Sequence, residues 1–297
     1  MKHFLLALLT IYASLGVLAS EPIAKHVVFI GLDGWGAYSM PKADMPTTKS
    51  LMEKGCYTLQ KRTVSPSSSA PNWASMFMAA GPELHGYTTW GARTPELPSR
   101  VITKHNIFPT IFQIYRDKYP DSETGAIYEW EGIKYLVDTL SLSYHAHHPY
   151  DAEHPDVMCT AAEEYIKRAH PDLVAIFFDN PDHVGHAIGH DTPEYYATLT
   201  ELDGYITRIV KAIDDAGMTD DTIFIITSDH GGIDKGHGGI TMAEMETPFI
   251  ISGKGVRKGG EFSESMMQYD VASTIAHIFH LEQPQVWIGR PMLQVFE

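Results

Sequence analysis

Along this chain, short uninterrupted apolar runs alternate with stretches in which apolar residues recur every third or fourth position. HVVFIGLD (26–33), LVAIFFDN (173–180), TIFIITSD (222–229) and TPFIISG (247–253) are runs of the first kind. Segments apolar on both sides of an extended backbone predict strands covered on both faces, as in a parallel sheet. The second kind is clearest over 192–213, where Tyr195, Leu199, Leu202, Ile206, Ile209 and Ile213 make one apolar face. Thr192 is placed to cap that helix, and Pro193 suits its first turn. Residues 158–167 and 271–278 read as further helices. This alternation predicts a three-layer α/β sandwich with a mostly parallel central sheet. Segments 82–108 and 139–156, rich in Pro, Gly, His and Ser, read as long loops above the sheet.

The first residues follow a different pattern. MKHFLLALLTIYASLGVLAS has a short basic start, an apolar stretch and small residues at its end. That is the form of a secretory signal peptide over residues 1–20, which places the mature protein outside the cytoplasm, secreted or periplasmic. No later run is long and apolar enough to span a bilayer. No linker interrupts residues 21–297, so they are expected to form one catalytic domain.

Composition narrows the function classes. The 297 residues are 44% hydrophobic, which is ordinary for a globular chain. The formal net charge of -15 argues against a nucleic-acid-binding scaffold, because phosphate backbones are neutralised by Lys and Arg. It leaves room for a small anionic substrate if metal ions supply local positive charge. Two cysteines, Cys56 and Cys159, are too few for a thiolate zinc site, and their spacing leaves open whether they pair.

The candidate chemistry gathers at the ends of the predicted strands, where open α/β sheets place their sites. The first strand ends at Asp33 in GLDGW, another runs into DNPDHVGHAIGHD (179–191), and a third ends in SDHGG, with GHGG and His237 close behind. Asp and His together in loops suit a divalent metal such as zinc. Asp182 and His186 are four residues apart, so one helical turn presents both to one ion. Asp229 and His230 are adjacent, and reach one site only where the chain leaves the sheet. Upstream, SSSAPNWASM offers three serines, Ser67, Ser68 and Ser69.

In this order, GLDG, SAPNWASM followed by GPELHG, PDHVGH, SDHGG and GHGG resemble the alkaline phosphatase superfamily, and within it the type I phosphodiesterase/nucleotide pyrophosphatase branch and its sulfatase-like relatives. The resemblance implies a two-zinc hydrolase of small-molecule phosphoric esters acting through a phosphoseryl intermediate. Ser69-Ala70-Pro71-Asn72 matches the nucleophile pattern and makes Ser69 the expected nucleophile over Ser67 and Ser68. One zinc would be held by Asp33, Asp229, His230 and the Ser69 oxygen, the other by Asp182, His186 and His237. His183 and His190 read as solvent-exposed loop histidines in preference to residues supporting the ligands.

The pattern has departures. The branch carries an Asn about twenty residues after the nucleophile, whereas here that position falls near Trp90, leaving Asn72, Thr89 or Arg93 to contact a phosphoryl oxygen. Asn72 and Trp90 are therefore the expected substrate-binding residues, Trp90 by stacking on an aromatic or sugar-like group. Sulfatases that form formylglycine need an Arg where Trp73 stands. Sulfuric ester hydrolysis and a non-catalytic metal-stabilised binding protein are the competing readings, and the second is disfavoured because all six ligands and the nucleophile are present.

Overall fold

The computed structural model describes residues 21–297; the expected signal peptide lies outside the described residues. One eight-stranded sheet runs β4-β3-β5-β1-β6-β7-β2-β8. Its strands are β1 (His26–Asp33), β2 (Cys56–Arg62), β3 (Thr124–Tyr128), β4 (Tyr144–His147), β5 (Leu173–Pro181), β6 (Thr222–Thr227), β7 (Glu246–Gly253) and β8 (Gly260–Glu261). The helices are α1 (Pro46–Lys54), α2 (Ser69–Met78), α3 (Pro82–His85), α4 (Ile111–Lys118), α5 (Val157–Ala169), α6 (Asp182–Ala187), α7 (Pro193–Asp215), α8 (Met242–Met245) and α9 (Asp270–Ile278).

The continuous apolar runs have a direct cause. Val27 and Phe29 point into one core and Val28 and Ile30 into the other; β5 and β6 alternate in the same way. Helices α2, α4 and α9 fill the first core, and α1, α5 and α7 the second. This is the expected three-layer α/β sandwich. The Thr192 side chain accepts a hydrogen bond from Tyr195 N, capping α7 as its position suggested.

Three sequence expectations need correction. TPFIISG is a buried strand, but β7 pairs antiparallel with both β6 and β2. Burial on both faces makes a strand apolar whichever way its neighbours run, so the pattern carries no sense of direction. Segment 139–156 is not all loop: β4 lies within it, a parallel edge strand beside β3. Its YHAH sequence alternates half-buried and exposed positions, as an edge strand does. Segment 82–108 likewise opens with α3. Cys56 and Cys159 are both buried free thiols in opposite cores, so they do not pair. Among the described residues, no helix is long and apolar enough to cross a membrane.

Candidate active site

The carboxyl ends of the adjacent strands β5, β1 and β6 converge with the start of α2. Asp33 ends β1, Asp182 opens α6 directly after β5, and Asp229 and His230 follow β6. Gly34 makes this convergence possible. Its φ of +70° suits glycine, and a Cβ there would lie 2.6 Å from the Asp182 Cβ. Its N–H donates to Asp229 Oδ1 at 3.2 Å.

Each carboxylate of the inner group is anchored by one oxygen and leaves the other bare. Trp73 Nε1 donates to Asp33 Oδ2 at 3.1 Å, while Asp33 Oδ1 and Asp229 Oδ2 are buried without a hydrogen-bond donor. His230 Nε2 faces both, 3.4 Å from Asp33 Oδ1 and 3.3 Å from Asp229 Oδ2. The Ser69 hydroxyl lies 3.2 Å from the same nitrogen. Among the three serines, Ser69 alone has its oxygen against this cluster. Ser67 is tied to the loop that follows β6, donating to Gly239 O at 2.7 Å and accepting from Gly238 N at 3.2 Å. Ser68, the residue that precedes α2, lines the pocket wall and makes no side-chain capping bond.

The outer group is Asp182, His186 and His237. Asp182 Oδ2 lies 3.2 Å from His186 Nε2 and 3.7 Å from His237 Nε2, and the two imidazole nitrogens are 3.1 Å apart. The two groups touch, because the His230 and His237 rings stack at 3.7 Å.

The histidines share a device. Nδ1 of His186 meets Lys235 O at 2.9 Å, that of His230 meets Gly231 O at 2.8 Å and that of His237 meets Ser67 O at 3.1 Å. A ring whose Nδ1–H is spent on a carbonyl presents Nε2 as a bare lone pair. Bare nitrogens facing each other and bare carboxylate oxygens facing inward repel unless a proton or a metal ion lies between them. The residues therefore fit divalent metal: Asp182, His186 and His237 can close on one ion, and Asp33, Asp182 and His230 come within reach of another.

Electrostatics carry the same message. Burial first, and then the charges of Asp229 and Asp182, push the Asp33 carboxyl well above its usual range. Burial and the Asp182 charge raise Asp229 to about 7. Burial lowers His230, and burial with the neighbouring His230 lowers His237 to about 4. The outer pair behaves oppositely. The Asp182 hydrogen bond raises His186 to about 9. Burial works to raise Asp182, but hydrogen bonds from His186 and His190 outweigh it and hold the carboxyl below its usual range.

Above these groups opens a pocket of 730 Å³, walled by Thr88, Thr89, Trp90, Trp130, Asp179 and His183. Trp90 is 66% exposed at its rim. Asn72 is not. It is fully buried: its Oδ1 accepts from Val64 N at 2.8 Å, and its Nδ2 donates to Pro66 O at 3.0 Å and Ser68 O at 2.9 Å. An amide so committed has nothing left for substrate, and its work is to shape the turn that delivers Ser69. Arg93 pairs with Glu131 at 3.2 Å and does not line the pocket. His183 is exposed but stands in α6 and lines the pocket instead of lying in a loop, and His190 is 5% exposed and lies beneath Asp182.

Sequence reasoning passed over Trp73 as an anchor of Asp33. The signal was there: Trp73 follows Ser69 by four residues in a helix, which places both on one face. It also passed over Asp179 and Glu129. Buried Glu129 accepts from Asp179 N at 2.7 Å, and burial raises its carboxyl to about 8.

The family model described as type I phosphodiesterase / nucleotide pyrophosphatase matches residues 27–246. The chain belongs to this family. It is thereby a member of the alkaline phosphatase superfamily, and its sheet is the one expected of that superfamily. Within the phosphodiesterase family, human ectonucleotide pyrophosphatase/phosphodiesterase family member 5 is 20% identical over 234 residues, 77% of this chain and 48% of the relative. The catalytic subunit of human GPI ethanolamine phosphate transferase 2 is 28% identical over 141 residues, 46% of this chain and 14% of the relative. The chain thus spans less than half the length of these curated relatives. The murine family member 5 structure superposes with a TM-score of 0.74 at 15% identity, covering 92% of this chain and 100% of that one. A 2-O GAG sulfatase superposes with a TM-score of 0.72 at 14% identity, covering 93% of this chain and 74% of that one. At such identities these likenesses establish the shared fold.

Proposed function

We propose that this protein hydrolyses small-molecule phosphodiesters by nucleophilic attack of Ser69, in a site that holds two divalent ions, zinc by the chemistry of its donors. The observation that carries this reading is the Ser69 hydroxyl, 3.2 Å from His230 Nε2, on the floor of a pocket whose buried carboxylate oxygens lack donors. Asp33, Asp229, His230 and Ser69 would hold one ion, and Asp182, His186 and His237 the other. Bound there, such ions lower the pKa of a hydroxyl and stabilise charge on phosphoryl oxygens.

The chain's own residues supply the rest. Asn72 and the first turn of α2 fix the Ser69 oxygen, and the N-terminus of this ten-residue helix favours negative charge at that point. Trp73 holds Asp33 in register with it. Attack by Ser69 Oγ forms a P–O bond to serine and breaks the ester bond, and the leaving alkoxide takes up a proton. Water then cleaves the phosphoseryl ester, returning serine and releasing a phosphomonoester. Trp90 and Trp130 offer apolar faces to the alcohol portion. The pattern of residues 1–20 supports export, secreted or periplasmic.

The test compares kcat/KM of the zinc-loaded protein on bis-p-nitrophenyl phosphate, p-nitrophenyl phosphate and p-nitrophenyl sulfate. Ser69→Ala should lower diester turnover by ~10³-fold or more while retaining its metal. Acid quenching of the wild type during diester turnover should trap the p-nitrophenyl phosphoryl group on Ser69, read by mass spectrometry. Sulfate turnover exceeding that of both phosphates would replace this reading with a sulfatase. No turnover of any ester by the metal-loaded protein would point to a binding role.

A further inference from the structure

Asp229 and His230 are neighbours in sequence, yet both face the inner group, and the chain achieves this by leaving the sheet after Thr227. The first residues after β1 hold this turn by its side chains: Gly34 N donates to Asp229 Oδ1 at 3.2 Å and Trp35 N to Ser228 Oγ at 2.9 Å. Its carbonyls pose a harder problem. Ser228 and Asp229 are fully buried, so a carbonyl that leaves the ladder here is costly unless another donor finds it. The neighbouring strand offers little help. Phe249 of β7 stands opposite Thr227, and the next β7 residue toward the turn is Pro248, which has no N–H to give.

Two polar side chains supply the donors. Lys61, in β2, is fully buried, and its Nζ donates to Ser228 O at 2.9 Å and to Gln268 Oε1. Gln268, also fully buried, donates from Nε2 to Ser228 O at 3.2 Å and to Asp229 O. Only this orientation of the amide makes every contact a donor–acceptor pair. Gln268 is itself tied to β2, because its backbone N–H donates to Arg62 O at 2.9 Å. The two side chains thus form one clamp, rooted on a strand two places away from β6, that closes on successive carbonyls of the ligand-bearing turn. Nζ meets two neutral oxygens and needs only two hydrogens to do so, so the clamp holds whether the amine is charged or not. A methionine would fill the same length at a lower desolvation cost. What lysine adds at this place is donors.

We infer that Lys61 and Gln268 are the positioning residues for Asp229 and His230. They fix the two peptide planes between Ser228 and His230, and with them the directions in which the carboxylate and the imidazole leave the backbone. Among the described residues, their side-chain hydrogen bonds go to each other and to this turn, so the clamp acts on the inner ion and not on the outer one. This rests on the two-metal reading above.

The experiment measures zinc bound per chain, and its affinity in competition with a chromophoric chelator, for wild type, Lys61→Met and Gln268→Glu. The first variant keeps the length of the side chain and removes its donors. The second keeps an acceptor for Lys61 and removes both donors to the turn. Loss of a partner that orients a ligand weakens metal binding ~10–100-fold. That loss is expected for one ion in each variant, with the other ion bound as in wild type, and cobalt-substituted protein should show a matching change in its visible absorption. Adding His186→Ala, which empties the outer position, identifies the weakened ion as the one that remains. Wild-type affinity for both ions in both variants, or weakening confined to the outer ion, would overturn the inference while leaving the two-metal reading intact. A wild type that binds no divalent ion would overturn both. A measurement needing no variant follows the Gln268 side-chain amide in ¹H–¹⁵N spectra of the wild type as zinc is added. Signals that move as the inner ion binds support the clamp, and signals that stay fixed while both ions bind overturn it.

Discussion

Asp33, Asp229 and His230 have side-chain exposures of 6%, 0% and 0%, whereas His186, on the other side of the same pocket, is 49% exposed. The inner group hangs on strand ends and is oriented by backbone and by the Trp73 indole. The outer group hangs on a six-residue helix and a loop, and is held largely by its own members. The difference is also electrostatic. Asp182 and His186 neutralise each other without help, but Asp33 and Asp229 crowd negative charge into a sealed space. The inner half depends on a cation for its comfort, whereas the outer half can satisfy itself with protons. Rigidity and charge frustration go together where the sheet builds the site; adaptability and self-sufficiency go together where loops build it.

The largest test of this contrast is a pair of alanine substitutions followed by urea unfolding and metal analysis. His230→Ala removes a fully buried ring and leaves a cavity among carboxylates, so it should cost ~2–4 kcal/mol and abolish tight binding at the inner position. His186→Ala should stay within ~0.5–1 kcal/mol of wild type and lose only the outer ion. Equal costs would dissolve the distinction. Next in size, Asn72→Ala leaves Val64 N without its acceptor and removes one of the two donors to each of the Pro66 and Ser68 carbonyls, and should cost ~1–3 kcal/mol. Because the amide does not reach the pocket, KM for the diester should hold while kcat falls; a raised KM with unchanged kcat would restore Asn72 to the substrate. The smallest effect concerns Glu129, which braces Asp179 behind the outer group. Its carboxyl rises from 4.5 to about 8 on burial, so it binds a proton more tightly folded than unfolded. Its stabilising contribution is complete below 4.5 and is lost as pH climbs toward about 8. Over a one-unit step near pH 6 the loss should approach ~1 kcal/mol. Glu129→Gln should flatten that slope, and an unchanged slope would place the proton elsewhere.

How much of this was readable beforehand follows from what each pattern encodes. Strands β1, β5 and β6 announced themselves because both their faces are buried, and their terminal Asp and His residues marked the site. The direction of β7 was not readable, since apolarity is blind to sense. β4 hid because an edge strand of Tyr and His residues looks like a loop. The misreading of Asn72 came from seeking a stand-in for the Asn missing near Trp90; the turn from Val64 to Ser68 folds over Asn72 instead. His190 was taken for a surface residue because burial of an imidazole depends on distant backbone, here at Gly185 and Gly232, and only three-dimensional closure brings those glycines to it.

The strand order carries a consequence for how the protein comes to be. β1 is synthesised first among the strands, yet both its neighbours in the sheet, β5 and β6, come from far later in the chain. The residues facing one another in the pocket are thus strangers until the longest-range pairings close, the slow events in folding. A half-made chain offers a divalent ion scattered carboxylates and imidazoles, but no cage. Metal capture belongs to the end of folding, and the ion rewards a completed topology instead of nucleating it.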